Sequence, residues 1–270
     1  MQTRREATRE ATIREIKQTA LARMRAEGTV DVRLSDVARD MRMSAPGLYR
    51  YFDGRKGLLT ALITDALTEL AERVEKARDA VPAGDTGGRF LAVARAYRAW
   101  ALGDPQGFTL VFGPPMSGVP RDHQAAADGP GKAAAVRAME GLRSLVREAE
   151  RAGTRRCPPV TLPPVLVAAF ADKVLHGADP ATELALCHTW ASLHGFVTLE
   201  AYGNLGWHGP EVRESIFLGL VRVLAEAMGL PAPRDGWPAD TPRPAVSGRP
   251  TDAAAGAGRA SAGSSPAPGR

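Results

Sequence analysis

Leu34-Ser-Asp-Val-Ala-Arg-Asp-Met-Arg-Met-Ser-Ala-Pro-Gly-Leu-Tyr-Arg-Tyr-Phe-Asp-Gly-Arg-Lys-Gly-Leu-Leu59 is the stretch on which the reading of this chain turns. Leu34, Val37, Ala38 and Met41 recur at i, i+3, i+4 and i+7, the spacing of one apolar helical face. Arg42-Met43-Ser44 has room only for a tight turn. Ser44 then supplies a hydroxyl at an N-cap position, and Pro46 falls in the first turn, where its missing N–H leaves no helical bond unmade. The spacing predicts a second helix from Ala45 to about Phe52, anchored by Leu48 and Phe52, and Asp53-Gly54 breaks it. Two short helices joined by so short a turn make a helix-turn-helix. The second helix must fit a major groove roughly 12 Å wide, so one side of it has to stay uncovered.

Outward from this stretch the pattern stays helical. Ile13, Ile16, Ala20, Leu21 and Met24 define a supporting helix over about 8–26, closed by Gly28, whose freedom to turn left-handed suits the end of a helix. A long helix over about 55–80 carries Leu58, Leu59, Leu62, Ile63, Ala66, Leu67, Leu70 and Val74 on a face wide enough to pack on two bodies. Further helices are expected near 89–102, 108–112, 132–152, 162–176, 181–202 and 210–228, with a Gly/Pro-rich loop over 113–131 and no strand. Residues 231–270 hold eight prolines and six glycines and almost no large apolar side chains, a composition expected to remain disordered. The fold class is therefore all-α. The expected domains are 1–56 (core 8–54) for the helix-turn-helix, 57–230 for a helical body and 231–270 for the tail, with helix 55–80 joining the first two.

Charge is unevenly placed. The whole chain is +5 with an isoelectric point near 9.5, yet residues 1–56 alone hold 13 basic and 8 acidic side chains, while 57–270 balance at 22 of each. A basic stretch is either a solvated surface or an electrostatic footprint for nucleic acid, and the helix-turn-helix inside it favours the second. No apolar run reaches the ~18–20 residues needed to span a bilayer. The first residues lack the apolar centre of a secretory signal, so a cytoplasmic location is expected, with association to the nucleoid when DNA is bound. Two cysteines, Cys157 and Cys187, cannot build a disulfide framework. Of five histidines only His194 shares a helical face with Cys187, short of the three or four ligands a metal needs. Ser192 and His194, two apart, lie on different faces and form no nucleophile–base pair. No enzyme, cofactor or metal is expected.

The quoted stretch resembles the tetracycline-repressor (TetR) family of transcriptional regulators. Leu48-Tyr49-Arg50-Tyr51-Phe52 and Leu58-Leu59 nearly reproduce the family's Leu-Tyr-x-x-Phe run, its lysine and its Leu-Leu pair, over a match of roughly residues 8–75. Arg55 stands at the family's lysine, Lys56 where an acidic residue is common, and Arg42 where the turn commonly has glycine. If that position is left-handed, arginine there costs on the order of 1 kcal/mol. The start near Arg33 also lacks the usual Thr cap. The resemblance implies DNA contacts from Arg33, Ser44, Ala45, Pro46, Gly47, Tyr49, Arg50, Tyr51, Arg55 and Lys56. Small residues at the tip would permit close backbone approach, and Arg55 and Lys56 at the start of the next helix would hold a phosphate.

Thr189-Trp190-Ala-Ser-Leu-His194-Gly195-Phe-Val-Thr-Leu-Glu200 resembles the Trp…His-Gly signature of one branch of TetR C-terminal domains, although an ordinary core Trp and a capped or bonded core His account for it more readily. The resemblance implies a homodimer through helices 181–202 and 210–228. It also implies an effector pocket, for which Phe90, Tyr97, Trp100, Phe108, Phe112, Met139, Val146, Phe170 and His194 are the candidates. Each is also an ordinary core residue by pattern. The function expected is that of a homodimeric repressor released from a palindromic double-stranded operator by a small-molecule effector. The alternative is a small-molecule-binding helical protein without specific DNA function.

Overall fold

The computed structural model describes residues 3–114, 130–157, 160–171 and 179–238. Among them there are ten helices and no strand: α1 (Arg4–Glu27), α2 (Leu34–Asp40), α3 (Ala45–Leu48), α4 (Gly54–Asp79), α5 (Thr86–Gly103), α6 (Pro105–Phe112), α7 (Pro130–Arg151), α8 (Pro164–Ala171), α9 (Pro180–Ala201) and α10 (Pro210–Ala227). None is long and apolar enough to cross a membrane.

Local chemistry sets the ends. Thr3 and Glu6 form a reciprocal capping box at α1, and Gly28 closes that helix with φ +65°, the left-handed terminus that its sequence position predicts. Asp179 caps α9 by accepting from the amides of Ala181 and Thr182. The turn after α2 is a Schellman motif. The amide of Met43 reaches the Ala38 carbonyl at 2.8 Å and that of Arg42 the Arg39 carbonyl at 3.0 Å. Arg42 occupies the left-handed position of that motif with φ +55°, the one non-glycine residue with positive φ among the described residues.

Two cores result. The head core gathers Ile16, Ala20 and Met24 of α1, Val37 and Ala38 of α2, Leu48, Phe52, and Leu58, Leu59 and Leu62 of α4. The body core is built from α5, α7, α9 and α10 with Leu70 and Val74 of the same α4. Helix α4 thus serves both, as its wide apolar face requires. The head does not end at residue 56, since three α4 leucines belong to its interior, and Leu110 of α6, 3% exposed, joins it as well. Bidentate pairing of Arg25 with Asp104 (2.6 and 3.2 Å) ties α1 to the start of α6.

The expected tail starts too early at 231. Leu230 and Trp237 are 6% exposed and belong to the body core, and the Arg234 amide donates to Asp85 Oδ1 at 3.3 Å. Chain passage here is so close that a Cβ on Gly87 would collide with the Pro231 carbonyl. A single tryptophan supplies enough apolar area to hold a Pro-rich segment down. The remaining residues of the expected tail, 239–270, lie outside the described residues, as do 115–129 of the expected loop and 172–176 of the expected eighth helix.

Candidate nucleic-acid interface

The reading segment is shorter as a helix than its sequence suggests. Only Ala45–Leu48 is α-helical; beyond it the amides of Arg50 and Tyr51 turn to Gly47 and Leu48, three residues back, at 3.4 and 3.0 Å. The Phe52 amide still reaches Leu48, but at 3.3 Å. Glycine at 47 supports helix poorly, and Gly54 with φ +63° turns the chain directly into α4, so the segment closes as tight turns.

The burial pattern sorts its side chains. Leu48 is fully buried and Phe52 is 8% exposed, whereas Tyr49 is 58% exposed. Ser44 is exposed and its Oγ accepts from the Gly47 amide at 3.2 Å, which occupies the hydroxyl as a cap. Pro46 and Arg50 are exposed, Ala45, Gly47 and Tyr51 half-buried. Arg33 is exposed at the N-cap of α2 and makes no side-chain cap bond. Ser44, Pro46, Tyr49 and Arg50 thus come together on one uncovered segment, with Lys56 exposed just beyond it at the start of α4.

Arg55 does something that spacing alone could not reveal. Its guanidinium is held by Asp31 Oδ1 at 2.7 Å and by the Val32 carbonyl at 3.1 Å. It braces the α1–α2 connection from the first turn of α4, while its neighbour Lys56 stays exposed. Three further arginines lie beside this segment, outside a motif that begins at Leu34. Arg4, Arg5 and Arg9 of α1 line a surface cleft of about 560 Å³ together with Thr8, Arg50 and Tyr51. Arg9 donates to the Arg50 carbonyl at 3.2 Å and lies over the Tyr51 ring at 5.3 Å. The signal available in the sequence was the local charge of the first helix.

The effector candidates divide. Tyr97, Trp100, Phe108, Phe112 and His194 form one aromatic group, joined by Trp190 and Tyr202, which the candidate set omitted. His194 stacks on Trp190 (5.0 Å, 15°) and meets Phe112 at 4.8 Å and Phe108 at 5.8 Å. Its Nδ1 is 2.7 Å from the Tyr97 hydroxyl and its Nε2 is 3.4 Å from Thr198 Oγ1. Burial pushes the imidazole below its ordinary value and the Tyr97 phenol well above its own, so both are neutral at pH 7. A neutral ring accepts at one nitrogen and donates at the other. Phe90 and Val146 are buried in the same core and Met139 packs against it. Phe170 is a correction: it lies half-buried on α8 and is not among the residues that pack on this core.

A polar belt fixes the helices around this group. Arg98 of α5 grips Glu200 of α9 at 2.6 and 2.8 Å, pairs with Glu214 of α10 and lies 4.6 Å over the Phe217 ring. The Arg98 guanidinium holds the Glu200 carboxyl below the usual carboxylate range, with Arg213 adding to it. No group of three or more His, Cys, Asp or Glu side chains suited to a metal occurs among the described residues.

This geometry has relatives. Residues 90–224 match the family model described as tetracyclin repressor-like, C-terminal domain. The chain is 28% identical over 184 residues to the HTH-type transcriptional regulator Rv1816 of Mycobacterium tuberculosis, a match covering 66% of this chain and 76% of that protein. Mb1846 of Mycobacterium bovis, also an HTH-type transcriptional regulator, is similar to the same extent. The crystal structure of SCO4313, a candidate regulatory protein, superposes with a TM-score of 0.64 at 27% identity, over 82% of this chain and 98% of that one. A protein of unknown function from Rhodococcus sp. RHA1 shares the fold (TM-score 0.55, 24% identity, 78% of this chain and 95% of that one).

Proposed function

Because this chain belongs to the tetracycline-repressor family, and is therefore a DNA-binding transcriptional regulator and not an enzyme, we propose that it is a homodimeric repressor whose two 44–52 segments read a palindromic operator. The two segments would enter successive major grooves, ~34 Å or one helical turn apart. The observation that carries this reading is the division between two adjacent residues, Leu48, fully buried, and Tyr49, more than half exposed. An aromatic with a polar tip, uncovered beside a fixed anchor on the helix-turn-helix, is well placed to meet a docked base edge. Tyr49 and Arg50 would face base edges, and Ser44, Lys56 and Arg33 the backbone.

Members of the family dimerise, and the helices proposed for it here are α9 and α10. They leave Leu199, Val212, Ile216 and Val223 more than 40% exposed, apolar area that a second copy would cover. The aromatic group around His194 is proposed as the effector site, suited to a flat, largely apolar molecule whose polar group would compete with Thr198 for the imidazole Nε2, the longer of its two contacts. Such an effector acts only through unequal affinity for the two head spacings, commonly ~1–3 kcal/mol. The carrier alternative loses its ground, since family membership brings DNA binding with it. Footprinting of the full-length chain across its genome tests the proposal. The expected result is a small set of palindromic sites whose half-site centres lie about one turn apart. Uniform, sequence-blind occupancy would overturn it.

A further inference from the structure

We propose that Arg4, Arg5 and Arg9, which line a cleft beside Arg50, take DNA backbone phosphates that flank the bases read by the 44–52 segment. The inference rests on the DNA-binding reading above and extends its footprint beyond the helix-turn-helix. Four of the six residues lining the cleft are arginines and none is a carboxylate. All four arginines are exposed. The cleft adjoins the reading segment through two contacts already described, Arg9 to the Arg50 carbonyl and Arg9 over Tyr51. Whatever Tyr49 and Arg50 approach, Arg9 is one residue's width away, and Arg5 and Arg4 lie a helical turn further along α1.

The position of Arg4 and Arg5 in their helix is a separate observation. Thr3 is the N-cap and Glu6 closes the capping box, so Arg4 and Arg5 are the first two helical residues. That is the positive end of the helix dipole, where cations are disfavoured and carboxylates favoured. Neither side chain has a carboxylate partner among the described residues to offset this. Two adjacent arginines set against the local field do nothing for the helix. Facing an external polyanion, they fit: arginine presents a fork of donors to phosphate oxygens. The remaining wall adds one donor, the Tyr51 hydroxyl, since the Thr8 hydroxyl donates to the Arg4 carbonyl at 2.9 Å within α1.

The test uses the full chain with Arg4→Ala and Arg5→Ala together, on two duplexes. One carries a footprinted operator with about ten flanking base pairs on each side; the other is trimmed to the operator core. The wild type should bind the long duplex more tightly, and the double variant should bring that ratio close to one. On the long duplex the slope of log K against log salt should flatten by about two units per head, as ~0.9 unit accompanies each phosphate neutralised. That corresponds to about fivefold in affinity per contact at 0.15 M salt. The melting temperature should hold or rise, because alanine is the better helix former and the dipole conflict is gone.

Equal loss on both duplexes, or no loss on either, would overturn the inference and leave the function intact. A free anion as the occupant would show differently: millimolar inorganic phosphate would raise the melting temperature of the wild type but not of the variant, with no dependence on duplex length, and this too would overturn it. A wild-type chain that fails to separate operator from unrelated duplex would overturn the repressor reading itself, and the inference with it.

Discussion

Arg42→Gly should make this protein more stable, although it removes a charged residue from a surface turn. Arg42 is the C′ residue of the Schellman motif that ends α2, and its φ of +55° is imposed by the bonds from Met43 to Ala38 and from Arg42 to Arg39. For a residue with a Cβ the left-handed conformation costs ~1–2 kcal/mol. Glycine relieves that strain but gains freedom in the unfolded chain worth ~0.5–1 kcal/mol. The net expectation is a stabilisation of about 0.5–1 kcal/mol. Side-chain terms add little, because Arg42 is exposed and forms no ion pair among the described residues. Arg42→Ala is the control, since it deletes the same charge and keeps the strain. The difference between the glycine and alanine variants therefore isolates the backbone. Urea titration followed by far-ultraviolet circular dichroism reads it, and in a thermal scan ~1 kcal/mol corresponds to about 2–4 °C for a chain of this size. A glycine variant no more stable than the alanine variant would refute the argument that the turn is strained.

Other outcomes follow from the same geometry. Tyr49→Ala should abolish preference for the operator over random DNA while shifting stability by less than ~0.5 kcal/mol, because an exposed ring leaves no core cavity; fluorescence anisotropy with both duplexes checks it, and retained preference would remove Tyr49 from base readout. Arg55→Ala and Lys56→Ala should separate cleanly. The first leaves the buried Val32 carbonyl unpaired and should cost about 1–3 kcal/mol of stability, whereas the second should leave stability unchanged and flatten the salt slope of DNA binding by about one unit per head. The reverse pattern would return Arg55 to the phosphate role. His194, held neutral by burial, has a folded-state value below its ordinary 6.5, so below pH 6.5 the unfolded chain binds a proton that the folded one resists. Stability should fall as pH drops through that range, and His194→Asn, which keeps a hydrogen-bonding group but cannot titrate, should give a flatter acid limb by up to one proton's worth of slope. Identical limbs would mean the ring is more open to water than its aromatic neighbours imply.

What could be read from residues in order, and what could not, follows from the range of the forces involved. Ser44, Pro46 and Gly28 act within one turn of their own position, and each ends or starts an element where its chemistry predicts, whereas the helix expected to run to Asp53-Gly54 ends at Leu48. The strain at Arg42 was legible only through the family resemblance, which commonly places glycine at that turn position. The misreadings concern which surface a side chain meets. Phe170 sits in an apolar run, Val165 to Ala171, that has the composition of a core helix, yet Val165 is 71% and Val167 43% exposed; composition cannot distinguish an interior from a face that waits for a partner. Leu110 and Phe108 stand two residues apart on α6, but one enters the head core and the other the aromatic group of the body. Arg55 and Lys56 are neighbours with the same charge, and only the fold shows that Asp31, 24 residues earlier, claims the first. Trp237 was hidden by its Pro- and Gly-rich surroundings, since averages over a window suppress one large ring. In each case a local pattern gave the right type of residue, and a contact distant in sequence decided its use. The same logic explains why the basic head is visible as a charge excess in sequence, while only the fold divides its arginines into those that brace it, such as Arg55, and those left exposed.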